Sequence, residues 1–275
     1  MININTSIYQ QNNKIKAADL PNRLLSQGIS SITTEGIATL LSIPKNQIPK
    51  RMAPLKKRGE MILLAKNLWV AVPPEYISWG APPAIDIIDA LMRNYNVDYY
   101  VGWLYAAIYH GASHHATQVF QVAVSRSIRE KMVGRSRILF YHRTHISSIL
   151  TVNIQSRSGN VPISNKETTI LDIAADISVV GGIDNATNLI IELCEASEIS
   201  FDNLMKLSSL YNTSAIRRLG YLIEHFTDIT DISELKTICD KRNNSISILD
   251  PESPSIGSID KKWNLKINRE VYPNI

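Results

Sequence analysis

Four prolines impose the first constraint on how this chain folds. Pro73, Pro74, Pro82 and Pro83 bracket a short stretch that contains Tyr76, Trp79 and Gly80. Proline fixes φ and carries no N–H, so neither a helix nor a central strand continues through such a stretch, and it reads as a linker. The domain boundary is therefore placed near residue 80. A chain of 275 residues has room for about two domains of ordinary size. With 44% hydrophobic and 20% charged residues it can bury a core, which excludes the disordered class.

Residues 1–13 are polar and rich in Asn and Gln, and are read as a flexible N-terminus without an apolar run for a signal or a membrane span. Cys194 and Cys239 stand far apart with no CxxC partner, so neither a disulfide framework nor a four-thiolate zinc site is argued. A cytoplasmic, non-membrane protein is expected.

Residues 14–80 carry three helical patterns followed by a hairpin. Leu20, Leu24 and Leu25 recur at helical spacing between Ile15 and Gln27, and Gly28 stops that helix. Thr33 or Thr34 offers an N-cap to a second short helix through Ile37, Leu40 and Leu41, which closes at Ser42-Ile43-Pro44. A third helix is predicted from about Asn46 to Lys57, with Ile48, Met52 and Leu55 on its apolar side. Two apolar runs, 61–64 and 68–72, flank Lys66-Asn67 as in a β-hairpin. This succession predicts a winged helix-turn-helix.

Lys plus Arg is 29 against 25 for Asp plus Glu, a formal charge of only +4, so the placement of charge matters more than its sum. Lys45, Lys50, Arg51, Lys56, Lys57 and Arg58 fall together with no acidic residue among them. In a helix-turn-helix the second helix enters the major groove and its first residues reach base edges. Lys45, Asn46, Gln47, Lys50 and Arg51 take that position, with Thr34 at the start of the preceding helix joining the candidate set. Asn and Gln pair with adenine and Arg with guanine, while Lys56, Lys57 and Arg58 suit the phosphate backbone. Lys66 and Asn67 at the hairpin tip would meet phosphate or the adjoining minor groove. A basic run taken alone is more simply a solvated helix face; the helix before it and the hairpin after it favour double-stranded DNA. Pro49 is tolerated near a helix start, whereas Pro54 must kink the helix or remove a backbone bond.

Residues 81–275 are mixed. Helices are predicted over 84–93, 102–110, 167–176, 185–196, 201–210, 214–226 and 232–241, and strands over 119–124, 137–142 and 149–154. The fold class is thus α/β of the α+β kind: an N-terminal winged helix-turn-helix domain and a larger mixed α/β C-terminal domain. No coiled-coil heptad marks a dimer helix.

The order of motifs carries a resemblance. Leu55-Lys56-Lys57-Arg58-Gly59-Glu60 ends the basic helix, and residues 99–111, YYVGWLYAAIYHG, follow the wing. Further on come 120–124 (FQVAV), 164–172 (SNKETTILD) and 262–268 (KWNLKIN). In this order the chain resembles the AbiEi-type antitoxins of type IV toxin-antitoxin (abortive infection) systems over nearly its whole length. The resemblance implies a cytoplasmic bacterial protein in a phage-defence locus. Its N-terminal domain would repress its own operon, and its C-terminal domain, helped by the first, would counter a nucleotidyltransferase toxin without a stable complex.

Other groupings in the second domain are weighed against simpler roles. His110, His114 and His115 suggest a metal site, but Gly111 ends the helix and no carboxylate follows, so packing or capping is preferred and no metal or cofactor is expected. Glu167 and Asp172 suggest paired acid-base carboxylates, but Ser164 or Asn165 as N-cap with Glu167 beyond it explains them as helix capping. Neither a Ser-His-Asp set, a phosphate-binding glycine loop nor a DxD metal pair is found, so an enzyme is not expected. A second basic stretch, Arg126, Arg129, Lys131, Arg135, Arg137, His142 and Arg143, opposed only by Glu130, is read as a possible continuation of the DNA surface. Trp263, Leu265 and Ile267 suggest a C-terminal strand docked on the core. The alternative function is a ligand-responsive winged-helix transcription factor without a toxin partner.

Overall fold

A computed structural model of the chain describes residues 15–112, 119–196, 199–229, 231–242 and 245–273. Two units divide it: residues 1–97 with 130–138 and 154–161, and residues 98–129, 139–153 and 162–275. The boundary expected near residue 80 falls inside the first unit, which runs on to Val97 and recruits two segments from later in the chain.

In the first unit, α1 (Leu20–Ser26), β1 (Ser31–Thr33), α2 (Thr34–Leu41), α3 (Ile48–Lys57), β2 (Met61–Ala65) and β3 (Leu68–Ala71) succeed one another. Thr33 caps α2, its hydroxyl accepting the Gly36 N–H at 3.0 Å, and Ser42 ends it with φ at +51°. Residues 45–47 form a separate 3-10 turn, so α3 begins two residues later than the sequence pattern suggests. Pro49 then lies in the first turn, where backbone N–H groups have no helical partner. Pro54 is interior and withholds the N–H that the Lys50 carbonyl would accept, yet the helix continues to Lys57. Ile48, Met52 and Leu55 point inward to join Leu20, Leu24, Ile37, Met61 and Trp69 in one core. The three strands are antiparallel in the order β1-β3-β2, with Ser31 opposite Val70 and Met61 opposite Ala71.

Helix α4 (Ile88–Tyr95) completes the N-terminal part of this unit. The recruited segment 154–161 is bound to the N-terminal part by specific contacts. The Ser30 hydroxyl donates to the Arg157 carbonyl at 2.9 Å, and the Arg93 guanidinium to the Ser158 carbonyl at 2.6 Å.

Next along the chain come β4 (Tyr99–Val101), α5 (Trp103–Tyr109) and β5 (Val119–Val124) of the second unit, β6 (Lys131–Val133) of the first, and β7 (Ser136–His142), β8 (Thr151–Ser156) and β9 (Gly159–Ser164), each divided between the two. The strands follow the order β6-β7-β5-β4-β9-β8. Then come α6 (Lys166–Ala175), α7 (Ile183–Ala196), α8 (Phe201–Ser208), α9 (Thr213–Phe226) and α10 (Ser233–Asp240), and a small sheet of β10 (Ser247–Ile248), β11 (Ser258–Asp260) and β12 (Leu265–Ile267). Helix α6 is the centre: Lys166 through Ala174 are all buried, and α5, α7, α8 and α9 pack around it. The mixture of helix and strand is that of an α+β fold.

The expected C-terminal strand is β12, parallel to β10 and antiparallel to β11. Trp263 just before it lies over α9, its indole N–H donating to Glu224 at 2.6 Å. A Cβ at Gly220 would lie 2.2 Å from that ring, so the helix keeps a glycine in mid-course where alanine is the better helix former. Gly220→Ala is therefore expected to lower stability by about 1–3 kcal/mol through overpacking. In a Trp263→Leu background the same change should be neutral or stabilising. Denaturant titration of the four proteins of this cycle checks it, and equal destabilisation in both backgrounds would contradict the close approach of ring and helix.

Candidate nucleic-acid interface

The amphipathic pattern of α3 determines which of its side chains meet solvent. With Ile48, Met52 and Leu55 buried, Lys50, Arg51, Lys56, Lys57 and Arg58 are all exposed. A depression of about 680 Å³ beside the helix is lined by Gln47, Lys50, Arg51, Pro54 and Arg58, with Ala17 and Ala18 opposite. Among the described residues no carboxylate pairs with Lys50, Arg51, Lys56 or Lys57.

The other residues of the expected set are placed differently. Lys45 binds Glu35 at 2.7 Å, and that bond is the main reason the Glu35 carboxyl is held down at about 2. Arg58 holds Glu60 through two bonds of 2.7 and 2.9 Å, which lowers the Glu60 carboxyl. Asn46 and Gln47 are exposed on the 3-10 turn ahead of α3. The Thr34 hydroxyl accepts the Trp69 indole N–H at 3.0 Å and is thereby committed to the fold. Lys66 and Asn67 form the exposed tip between β2 and β3, Asn67 taking φ of +69°, as a tight hairpin requires.

The second basic stretch is divided between the two units. Arg126 and Arg129 are exposed on the loop after β5 in the second unit, whereas Arg135 and Arg137 belong to the first. Arg137 is paired with Glu130 at 2.5 Å. Arg143 turns inward to bind Asp176 and lies 3.6 Å from Asp172, its guanidinium stacked 5.2 Å above the Trp103 ring. It is thus a structural cation rather than a surface contact.

Asp172 is the polar centre of the second unit. Its carboxylate accepts the Tyr100 hydroxyl at 2.9 Å and the Tyr211 hydroxyl at 2.8 Å. Burial pushes its pKa from 3.8 to about 6, against the pull of Arg143 and the two tyrosines. Burial, then the neighbouring Asp172 charge, raises both tyrosines well above their ordinary value. Trp103, with φ of +50°, donates its indole N–H to Asp176 at 3.2 Å, which completes the cluster. The sequence pattern suggests Asp172 as part of a capping arrangement; capping belongs instead to Asn165, which accepts the Thr168 N–H at 2.9 Å, while Glu167 accepts the Ser200 N–H at 2.9 Å. His110 packs as expected, a ring nitrogen 2.7 Å from the Ser164 carbonyl. His114 and His115 lie outside the described residues. Among the described residues no group of three His, Cys, Asp or Glu is arranged to hold a metal.

Residues 100–225, which contain this cluster, match the family model of the AbiEi antitoxin C-terminal domain. Over those residues the chain is similar to the AbiEi antitoxins. No curated protein matches the chain in sequence. In fold it is similar to the crystal structure of the RV2827C protein from Mycobacterium tuberculosis, with a TM-score of 0.66 at 14% identity over 90% of each chain. An antigenic nucleotidyltransferase-like protein from Paracoccidioides brasiliensis gives a TM-score of 0.30 at 9% identity, over 50% of this chain and 93% of its own; a likeness this slight carries no argument. Among the described residues no helix is long and apolar enough to cross a membrane.

The buried carboxyl of Asp172 gives the second unit a pH signature. The folded protein holds the Asp172 proton up to about pH 6, and the unfolded chain releases it near 3.8, so between those values the folded state binds more protons. Stability from this group is accordingly present below about pH 4 and lost as pH rises through 6. For a fully buried carboxyl the loss is roughly 3 kcal/mol. Asp172→Asn removes the titration, so the stability of the variant relative to the native protein should rise by about that amount between pH 4 and 7. Denaturant unfolding at several pH values tests this; a constant difference would show that Asp172 titrates normally.

Proposed function

We propose that the chain is a DNA-binding antitoxin that represses its own operon from the first unit and counters a nucleotidyltransferase toxin through its AbiEi domain, without a stable complex. The family match supports an antitoxin or regulator role, and the AbiEi family is regulatory rather than enzymatic. The observation that carries the DNA reading is α3, with Lys50, Arg51, Lys56 and Lys57 exposed and free of carboxylates on a helix anchored by Ile48, Met52 and Leu55. Three helices followed by an antiparallel hairpin, with a short strand between the first two, is the arrangement in which a winged helix-turn-helix offers its second helix to the major groove. On this reading Asn46, Gln47, Lys50 and Arg51 face base edges, and Lys56, Lys57 and the tip at Lys66 face phosphates.

A second reading, a winged-helix regulator that responds to a small ligand, draws on one observation. A cavity of about 300 Å³ in the AbiEi domain is lined by Arg143, His145, Asp176, Tyr211 and Asn212. The antitoxin reading is preferred because it uses the family match as well as the basic helix.

The test is a salt-dependent anisotropy titration of the protein against the DNA upstream of its own gene, with a scrambled duplex alongside. Preference for the upstream DNA with a steep salt slope is expected. Lys50→Ala with Arg51→Ala should weaken binding and reduce the magnitude of the log-log slope by about 0.9 for each phosphate no longer neutralised. Both side chains are exposed, so the pair should change folding stability by no more than about 0.5 kcal/mol each. Equal, weak binding to both duplexes would rule the repressor function out.

A further inference from the structure

The hairpin of β6 and β7 lies late in the chain, yet its residues 130–138 belong to the first unit. Lys131 to Val133 pairs with Ser136 to Ile138, leaving Gly134 and Arg135 as a two-residue tip. That tip is docked. A Cβ at Gly134, where φ is +56°, would lie 2.5 Å from the Trp79 carbonyl oxygen and 2.8 Å from the Ala81 nitrogen, so only glycine lets the hairpin press so closely on this backbone.

The segment it touches leads back to α3. Residues 74–79 form a 3-10 turn, and within it Ile77 lies beside Gly59, whose Cβ would be 3.4 Å from the Ile77 methyl. Gly59 follows Arg58 at the end of the basic helix. The exposed Ile77 and Trp79 therefore lie between the cationic end of α3 and the hairpin tip, and Arg135 stacks over Trp79 with its guanidinium 6.0 Å from the ring.

Charge identifies the partner. The neighbouring carboxylates are each taken by an arginine: Glu60 by Arg58, Glu75 by Arg157 at 3.2 Å and Glu130 by Arg137. Lys56, Lys57 and Arg135 have no carboxylate partner among the described residues. A net positive surface with an arginine held over an exposed indole fits a sugar-phosphate backbone, where arginine binds phosphate oxygens.

We propose that the β6–β7 hairpin is a second wing of the DNA-binding unit, and that Arg135, braced on Trp79, grips the phosphate backbone of duplex DNA outside the segment contacted by α3. This rests on the DNA-binding reading above and extends it by naming where the complex gains its outer contact. The second wing lengthens the footprint and adds affinity that is independent of sequence.

Hydroxyl-radical footprinting and salt titration on the upstream duplex test the proposal with five full-length proteins: native, Arg135→Ala, Arg135→Lys, Trp79→Ala, and Lys50→Ala with Arg51→Ala. Arg135→Ala should weaken binding roughly threefold to tenfold, lower the salt slope by about 0.9, and erase protection at one outer edge while the centre stays protected. Trp79→Ala should move the same edge, and Arg135→Lys should keep the native slope. Thermal melting of Arg135→Ala should match the native protein, since the side chain is exposed. If Arg135→Ala leaves slope and footprint intact while the Lys50/Arg51 variant no longer binds, the second wing is overturned and the DNA-binding reading stands. If native protein and Lys50/Arg51 variant bind alike, both fall. Should Arg135→Ala and Trp79→Ala abolish only toxin neutralisation in cells, the patch serves a protein contact and the proposal is likewise overturned.

Discussion

Helix α6 is enclosed on every side, and the second unit is arranged around satisfying what it buries. A helix with no solvent face is normally apolar throughout. This one carries Lys166, Glu167, Thr168, Thr169 and Asp172 into the interior. Each buried polar atom left without a partner would cost about 1–3 kcal/mol, more for a charge. The Thr168 hydroxyl therefore donates to the Leu150 carbonyl at 3.0 Å, and that of Thr169 to the Asn165 carbonyl at 2.7 Å. Asp172 draws Tyr100 from β4, Tyr211 from the turn before α9 and Arg143 from beyond β7 onto one carboxylate. Polar satisfaction thus fixes the relative placement of elements that apolar packing alone would leave free to slide. Arg218 plays a related part for the C-terminal segment, donating to the Leu249 carbonyl at 2.7 Å and the Ile248 carbonyl at 3.1 Å, at the cost of a guanidinium that burial brings down to about 10.

That interior is what the sequence could not display. The helices of the second unit were legible because their leucines and isoleucines recur at three and four residues, and β5 because 119–124 is a largely apolar run. Strands β4 and β6 are three residues long, too short for any alternation to register, and Pro162 masks β9. Asp172 passes for part of a helix-capping arrangement in the sequence because periodicity reports the spacing of one helix, whereas its partners come from positions 100, 143 and 211. In the first unit the core triad of α3 and the tip at Lys66-Asn67 were readable in full. Recruitment of 130–138 and 154–161 was not, since it depends on backbone contacts such as Gly134 against Trp79 that leave no periodic trace.

Counting cations in the sequence also overstates the charge that α3 and its surroundings have to offer. Exposed ion pairs such as Lys45 with Glu35 and Arg58 with Glu60 contribute little to folding, because solvent screens them and ordering two long side chains costs entropy. Their effect on binding is larger in kind. A lysine already facing a carboxylate must give up that attraction before it can neutralise a phosphate, so it adds less than an unpaired one to the electrostatic part of the affinity. The bond from Lys45 lowers the Glu35 carboxyl, so Lys45 reaches a phosphate only by leaving a charged partner behind. Lys50, Arg51, Lys56 and Lys57 face no such exchange. The net charge of +4 is thus a poor guide to nucleic-acid affinity here, and the pattern of carboxylates around each cation is a better one.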